Sequence, residues 1–273
     1  MRCARCLRRV ISMQASRTSP TAHQNRLLES LPVEDYEQLR PHLAYVKLPY
    51  KCPLYEAYEP IEFVYFLENG VASLVNTMAD GDAAEVGTVG NEGLVGLPVV
   101  FNDIQAPSTV YMQVAGAGLR IDAKLFEQEL QRSISIRKRM LHYAHAFFNQ
   151  VAQSAACNIF HSVEQRCCRW LLMTRERMQS DAFPLTQEFL AMMLGVRRAG
   201  VTATAGALKR DGIIDYIHGR VTVLDSVALL KRSCECYGVT KNEFDRLLDV
   251  GHQIGNRATS YSANSQRYVP RSS

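Results

Sequence analysis

A segment rich in small residues, GVRRAGVTATAGALKRDGII, runs from Gly195 to Ile214 and places two adjacent arginines ahead of side chains that barely protrude. Short side chains allow a helix to lie deep in the major groove of DNA, and an arginine can form two hydrogen bonds with the edge of a guanine. These residue types in this order therefore predict a helix that reads a DNA sequence.

The spacing around Gly195 is typical of a helix-turn-helix. Glycine supplies the positive φ that a tight turn between two helices requires. Ala191, four positions earlier, is small enough for the helices to cross closely, and Val201, six positions later, places a branched apolar side chain inside the crossing. The remaining members of this small core are Leu190, Leu194, Ala205 and Leu208.

The outer face of the second helix is predicted to contact DNA. Arg198 is the candidate for a guanine edge, and Thr202 is the candidate for a base or a thymine methyl group. Phosphates bind favourably near helix N-termini and to the hairpin that follows. The predicted DNA-binding residues are Thr186, Gln187, Arg197, Arg198, Ala199, Thr202, Ala203, His218 and Arg220. In the alternative interpretation, Arg197 and Arg198 are an ordinary solvated basic pair.

The elements that precede this segment are predicted to form a β domain. From about Tyr45 to Asp122 short β runs alternate with turn residues, including Asp80-Gly81 and Glu68-Asn69-Gly70, each predicted as a turn between two strands. A short helix that restarts at Pro32 comes before them. Many short strands with closely spaced turns predict a compact β-roll.

A long helix is predicted next, because no proline or glycine occurs from Ile136 to Phe160. Its predicted apolar side consists of Ile136, Met140, Ala144, Phe147, Val151, Ala155 and Ile159. Such a seam needs a partner surface, and a second copy of the chain is the simplest one. The alternative is that the helix packs on its own β domain.

The predicted fold class is α+β, with an N-terminal β-roll sensor domain, a long dimerisation helix and a C-terminal winged helix-turn-helix. The predicted segments are a basic arm at 1–25, the roll at 26–135, dimerisation and linker helices at 136–178, the winged helix at 180–250 and a tail at 251–273. The 273 residues carry a net charge of +4 and eight cysteines without a repeating framework. Together with the lack of a membrane-length apolar run or a secretory signal, they predict a cytoplasmic protein. Met13 is an alternative start.

The two halves together resemble the Crp/Fnr superfamily of bacterial transcription regulators over about residues 25 to 250. The resemblance rests on LPYKCPLYEAYEPIEFVYFLENGVASLV in the β region, on QRCCRWLL at the start of the second long helix, and on an ungapped match from Thr186 to Ile214. It implies a homodimer that binds an inverted-repeat operator, contacts RNA polymerase, responds to a small-molecule effector and has no enzymatic activity. Consistently, no nucleophile elbow or metalloprotease motif is present.

The resemblance places the effector pocket at Glu92, Gly93, Gly96, Pro107, Ser108 and Val151. In members that bind cyclic nucleotides, a Gly-Glu pair holds the ribose and an Arg-Ser pair holds the phosphate. Here Glu92-Gly93 and Pro107-Ser108 occupy those places. A buried phosphate without its arginine would be an unneutralised charge. We therefore expect an effector other than cyclic AMP.

Cysteine and histidine pairs leave other sites to consider. Cys3-x-x-Cys6 offers the alternative of an iron–sulfur-sensing regulator, although such a cluster needs four cysteines. Cys167-Cys168 and Cys234-x-Cys236 are interpreted as packing residues, because neighbouring helical positions point in different directions. His142, His145 and His161 are interpreted as polar residues of the helix interface, so no metal or cofactor is predicted. A further alternative function is a sensor module that regulates a protein partner without binding DNA.

Overall fold

The computed structural model describes residues 24–248, which form two large hydrophobic cores. The predicted tail at 251–273, most of the predicted arm, Met13 and the Cys3-x-x-Cys6 pair lie outside these residues. Among the residues described, no helix is both long enough and apolar enough to cross a membrane.

The first core is formed by an antiparallel sheet and the helices around it. Two short helices, α1 (Arg26–Glu29) and α2 (Val33–Leu39), precede the sheet, and α2 begins directly after Pro32, as predicted. The sheet consists of β1 (Ala44–Leu48), β2 (Pro53–Tyr55), β3 (Phe63–Thr77), β4 (Ala83–Val89), β5 (Leu94–Val95) and β6 (Thr109–Asp122). Its strand order is β1-β6-β3-β4, with β2 paired to β6 and β5 paired to β3. This arrangement agrees with the predicted roll.

The two predicted turns of the β domain have different outcomes. The Asp80-Gly81 turn is confirmed, since Gly81 has a φ of 92° between β3 and β4. The turn at Glu68-Asn69-Gly70 is wrong, because β3 continues through it from Phe63 to Thr77. Gly70 has a φ of 88° at a point where the register with β6 shifts. A shift of this kind bends a strand without reversing it.

Three helices connect the sheet to the C-terminal domain, and the two long ones were predicted. They are α3 (Ala123–Arg132), α4 (Ile134–Phe160) and α5 (Val163–Met178). The break between α4 and α5 is fixed by a capping box, in which Ser162 and Gln165 bond to each other's backbone N–H groups.

The prediction that this apolar side of α4 faces a partner is wrong for the N-terminal half of the helix. Ile136 and Met140 are fully buried in the first core, and Phe147 packs against that core. A different stripe on α4 is exposed, with Leu141 at 41% and Phe148 at 68% of their full exposure. The error arises because α4 has two apolar faces, and periodicity alone does not say which of them its own domain covers.

The second core belongs to the winged helix-turn-helix. Its helices are α6 (Gln187–Leu194), α7 (Arg198–Arg210) and α8 (Ser226–Arg232), and its strands are β7 (Ala182–Pro184), β8 (Ile214–Ile217) and β9 (Arg220–Val223). The strand order is β7-β9-β8. The last helix among residues 24–248 is α9 (Cys236–Leu248). It leaves this domain and packs along α4, where Phe244, Leu247 and Leu248 join the first core. The predicted winged helix at 180–250 therefore ends too late, since it includes α9.

Candidate DNA-binding head and sensor cavity

The turn between α6 and α7 has the predicted helix-turn-helix geometry. Gly195 ends α6 with a φ of 60°, and its backbone N–H bonds to the carbonyl of Met192 at 3.2 Å. Val201 and Leu208 are fully buried where the helices cross. Leu190, Ala191, Leu194 and Ala205 are buried as well, which confirms the predicted core of the crossing.

The opposite face of α7 is exposed and has a low profile. Arg197 lies immediately before α7, Arg198 is its first residue, and Ala199, Thr202 and Ala203 follow along the exposed side. The Arg198 guanidinium lies 3.2 Å from the Glu188 carboxylate, with both side chains about two-thirds exposed at 67% and 71%. Exposed ion pairs of this kind contribute little stability, so a stronger acceptor can replace the carboxylate.

The first turn of α6 and the wing hairpin lie next to each other. Thr186 caps α6 by accepting a hydrogen bond from the Phe189 N–H at 3.2 Å. The wing turns at His218 and Gly219, with φ values of 48° and 73°, and the Gly219 carbonyl accepts from the N–H of Leu185 at 2.8 Å. The predicted phosphate contacts at Thr186, Gln187, His218 and Arg220 thus lie along one edge of the winged helix-turn-helix, which we call the head (residues 182–232).

The winged helix is docked against the sheet of its own chain. Phe189 of α6 makes an edge-to-face contact with Tyr111 of β6 at a ring-centre distance of 5.9 Å. The Tyr111 hydroxyl also donates to the sulfur of Met192 at 3.6 Å, and Gln113 contacts Met193. No local pattern predicts these contacts, because the paired residues are separated by about 80 positions in the chain.

A buried ion pair holds α5 to the sheet and corrects the predicted role of Glu92. Arg177, on α5, donates to both carboxylate oxygens of Glu92, at 2.6 and 3.2 Å, and both side chains are buried. It also donates to the Thr88 hydroxyl at 2.5 Å and to the Gln150 side-chain oxygen at 3.1 Å. Any side chain at Gly90 would collide with Arg177. Glu92 is therefore occupied in positioning the head, and it does not line the cavity described below.

Glu85 lies on β4 beneath α5, where burial raises its pKa to about 7. The Ser73 hydroxyl, which donates to it at 2.6 Å, and the charge of Arg177 lower the pKa without compensating for burial. The side chain is consequently close to its titration point at neutral pH.

Glu85→Gln is expected to flatten the pH dependence of stability. The pKa of Glu85 is about 7 in the folded chain and 4.5 in the unfolded chain. Its contribution to the free energy of unfolding is therefore fully present below pH 4.5 and is lost as the pH rises to about 7. At about 1.4 kcal/mol per unit, the loss is roughly 3 kcal/mol. Urea unfolding at pH 4 and 8 measures it, with Asp80→Asn on the exposed turn as the control. Parallel pH curves for Glu85→Gln and the parent would contradict the assignment.

A cavity of about 300 Å³ opens between the sheet and α4. Of the residues placed in the effector pocket by the resemblance, Gly96, Pro107 and Ser108 line it. The rest of the lining is mostly apolar, including Tyr143 and Phe147 from α4, with Asp103 and Gln105 as further polar members. The Ser108 hydroxyl is already bonded to Asn76 at 2.5 Å. Burial raises the pKa of Tyr143, whose hydroxyl donates to the Leu94 carbonyl at 3.1 Å, so it stays neutral. The cavity is therefore predominantly apolar, and no arginine or lysine is among its described lining residues.

Two further predicted pocket residues lie outside the cavity lining. Gly93 packs against the ring of Tyr143, which leaves no room for a side chain at that position. Val151 lies beside Gly87 on β4. Both residues were predicted from the position of the pocket in the family. In this chain the side chains of Tyr143 and Phe147 project from α4 and fill that part of the pocket.

These features define a class of protein in which long helices join a β-roll, containing a ligand-sized cavity, to a winged helix-turn-helix. Residues 45–133 match the cyclic nucleotide-binding domain, and residues 165–232 match the Crp-like helix-turn-helix domain. The chain belongs to the Crp/Fnr family of transcription regulators.

Relatives and solved structures agree with this assignment. The chain is 25% identical over 190 residues to the transcriptional activator protein FnrL of Cereibacter sphaeroides, covering 64% of this chain and 74% of FnrL. A putative Crp/Fnr regulator of Eubacterium rectale superposes with a TM-score of 0.59 at 15% identity, covering 76% of this chain and 96% of that one. A CRP family regulator of Thermus thermophilus gives 0.58 at 18% identity, covering 69% and 96%. Identities this low establish the fold alone.

Proposed function

We propose that the chain is a cytoplasmic, homodimeric regulator that binds an inverted-repeat operator through α7 and acts with RNA polymerase. The exposed, low-profile face of α7, led by Arg197 and Arg198, is the observation that carries the proposal. A helix with small outward residues can approach base edges closely, and a guanidinium at its start can bind a guanine at two points.

Each of the predicted DNA-binding residues has a role in this proposal. Arg198 binds a guanine edge, and Thr202 contacts a neighbouring base or thymine methyl group. Ala199 and Ala203 allow close approach. Arg197, together with Thr186 and Gln187 at the start of α6 and His218 and Arg220 in the wing, binds phosphates. Because only one long side chain, that of Arg198, reaches the bases, DNA shape contributes more of the specificity than it would in a head with several base-reading side chains.

The exposed stripe of α4 is the proposed dimer contact. Its apolar members are spaced three, four or seven residues apart, as in a coiled coil. They are Ile134, Leu141, Phe148, Ala152, Ala155 and Ile159. Ile159 is 75% exposed in the single chain, which a second copy of α4 would cover.

Phe148→Lys is expected to convert the dimer to monomers at micromolar concentration, because it would bury a charge in the seam without a partner. Analytical ultracentrifugation measures the change. Val33→Lys, at a residue 75% exposed on α2, is the matched control and should stay dimeric. A dimeric Phe148→Lys variant, or a monomeric parent protein, would refute this contact.

The proposed effector is a neutral, largely apolar small molecule that occupies the cavity beside α4. Tyr143 and Phe147 belong to α4 and line this cavity, so an occupant would alter how α4 packs. In the dimer, that packing sets the separation of the two α7 helices. Operator binding requires a separation of about 34 Å, one turn of DNA, so an occupied cavity changes affinity through this distance.

Cyclic AMP is expected to give no saturable heat of binding at micromolar concentration, because nothing in the cavity lining neutralises its phosphate. Isothermal calorimetry on the purified protein, with a cyclic-AMP-binding family member as the positive control, provides the measurement. A micromolar dissociation constant would disprove the apolar effector.

The regulator assignment is tested by a gel shift with DNA from upstream of the chain's own gene, against an excess of random competitor DNA. A shifted band that survives the competitor supports operator binding. Failure to bind both this DNA and any sequence from a random pool would favour the alternative, a sensor module acting on a protein partner.

A further inference from the structure

Four potential metal ligands meet at a point outside both large cores. Cys157 and His161 lie one helical turn apart near the end of α4, Cys234 lies in the loop after α8, and Cys236 begins α9. Their ligand atoms all lie within 4.8 Å of one another. The packing interpretation of Cys234-x-Cys236 assumed that both cysteines lie on a helix, but Cys234 precedes α9 and is free to turn toward Cys236.

We propose that Cys157, His161, Cys234 and Cys236 form a tetrahedral site for one thiolate-binding divalent cation, with Zn²⁺ as the principal candidate. Three thiolates and one imidazole are an established ligand set for structural zinc. This site is independent of the proposed DNA contacts and of the cavity.

Two contacts within the cluster have the lengths expected of neighbouring ligands around a single ion. The Cys157 and Cys234 sulfurs are 3.6 Å apart, and the Cys236 sulfur lies 3.4 Å from the Nδ1 atom of His161. Zinc bonds of about 2.3 Å to sulfur and about 2.0 Å to nitrogen put tetrahedral ligand atoms roughly 3.5 to 3.8 Å apart. In an iron–sulfur cluster the four ligands are divided between two irons or bind four separate irons, so the set as a whole would lie farther apart.

The surrounding groups also suit a metal centre. The Nε2 atom of His161 lies 3.2 Å from the Glu235 carboxylate, which leaves Nδ1 for the metal in the carboxylate–histidine–metal arrangement common at zinc sites. The Gln153 amide donates to the Cys236 sulfur at 3.0 Å. Three thiolates around one dication carry a net charge of about −1, and the positive charge of Arg169 acts on Cys157.

The position of the site gives it a structural consequence. It joins the end of α4, just before the break that leads to α5, to the segment that leaves the head and returns as α9. A bound cation would therefore fix the start of α9 to α4. The other described cysteines differ, since Cys52, Cys167 and Cys168 are embedded singly or as a pair in the large apolar cores.

The full-length protein, purified with reductant, is expected to contain one zinc per chain by plasma mass spectrometry. Replacement of zinc by Co²⁺ should give the intense visible bands of tetrahedral cobalt and a thiolate-to-cobalt charge-transfer band. Zinc content well below one per chain after incubation with excess Zn²⁺ and removal of the unbound ion, or weak octahedral cobalt bands, would overturn the proposal. Both measurements use the parent protein, so they do not depend on how a variant folds.

Variants locate the ion. Cys234→Ala and Cys236→Ala should each weaken zinc binding in chelator competition by more than 100-fold, whereas Glu235→Gln should cost about 10-fold as an outer-shell change. Cys168→Ala removes a buried cysteine from the second core and should bind zinc like the parent. An equal loss in Cys168→Ala, or unchanged affinity in Cys234→Ala and Cys236→Ala, would also overturn the proposal.

Discussion

Arg198→Ala will strongly weaken sequence-specific binding while leaving non-specific DNA binding largely intact. A bidentate arginine–guanine contact is worth about 1–3 kcal/mol, and a dimer contains two heads, so the expected loss is about 2–6 kcal/mol. This corresponds to roughly 30-fold to 10⁴-fold in operator affinity. Arg198 is exposed and makes one surface ion pair, with Glu188, so thermal unfolding should change little. Fluorescence anisotropy with operator and random duplexes measures the effect.

Two further arginines provide the controls for this prediction. Arg197→Ala should weaken binding to all duplexes alike and reduce the salt dependence, as expected for a phosphate contact. Arg40→Ala, which removes an exposed ion pair with Glu37 in the β domain, should bind like the parent protein. If Arg198→Ala still distinguishes operator from random DNA as well as the parent does, the base-reading role of Arg198 is wrong.

Arg177→Met will destabilise the chain by about 3–5 kcal/mol, because it leaves the charge of the buried Glu92 carboxylate without its ion-pair partner. Adding Glu92→Leu should recover at least half of the loss, since an apolar pair can replace a buried ion pair. Trp170 is the single tryptophan and belongs to the core of the head, so its fluorescence during urea unfolding reports this change.

The matched control for Arg177 is a second arginine on the same helix. Arg175 pairs with Asp181 at the surface, at 2.5 Å, and Arg175→Met should cost less than about 1 kcal/mol. Equal losses for Arg175→Met and Arg177→Met would show that the buried pair with Glu92 does not hold the head to the sheet.

The helix-turn-helix could be predicted because its determinants are local. Gly195 and Val201 are only six positions apart. Gly195 provides the positive φ of the turn, and Val201 packs between the crossing helices. The β-roll was predictable from strand and turn residues for the same reason. Within the β-roll, the bend of β3 at Gly70 was wrongly predicted as a turn between two strands. Glycine is compatible with both structures, so its presence does not distinguish them.

The parts that escaped prediction depend on contacts between distant residues. Glu92 and Arg177 are 85 positions apart, and Cys157 and Cys234 are 77 apart. Hydrophobic periodicity also could not decide which face of α4 its own domain covers, or that α9 returns to α4. A cysteine pair separated by one residue was a signal for the possible metal site, but only the fold brings Cys157 and His161 to it.

Selection of binding sites from a random pool of duplexes by the purified protein tests the central claim most directly. The predicted result is an enriched inverted repeat whose half-sites are centred about 10 base pairs, one helical turn, apart. Guanine should be enriched at the position read by Arg198, and this preference should disappear when Arg198→Ala is used for the selection. A pool without any enriched inverted motif would contradict the account that a dimer presents two α7 helices to one operator.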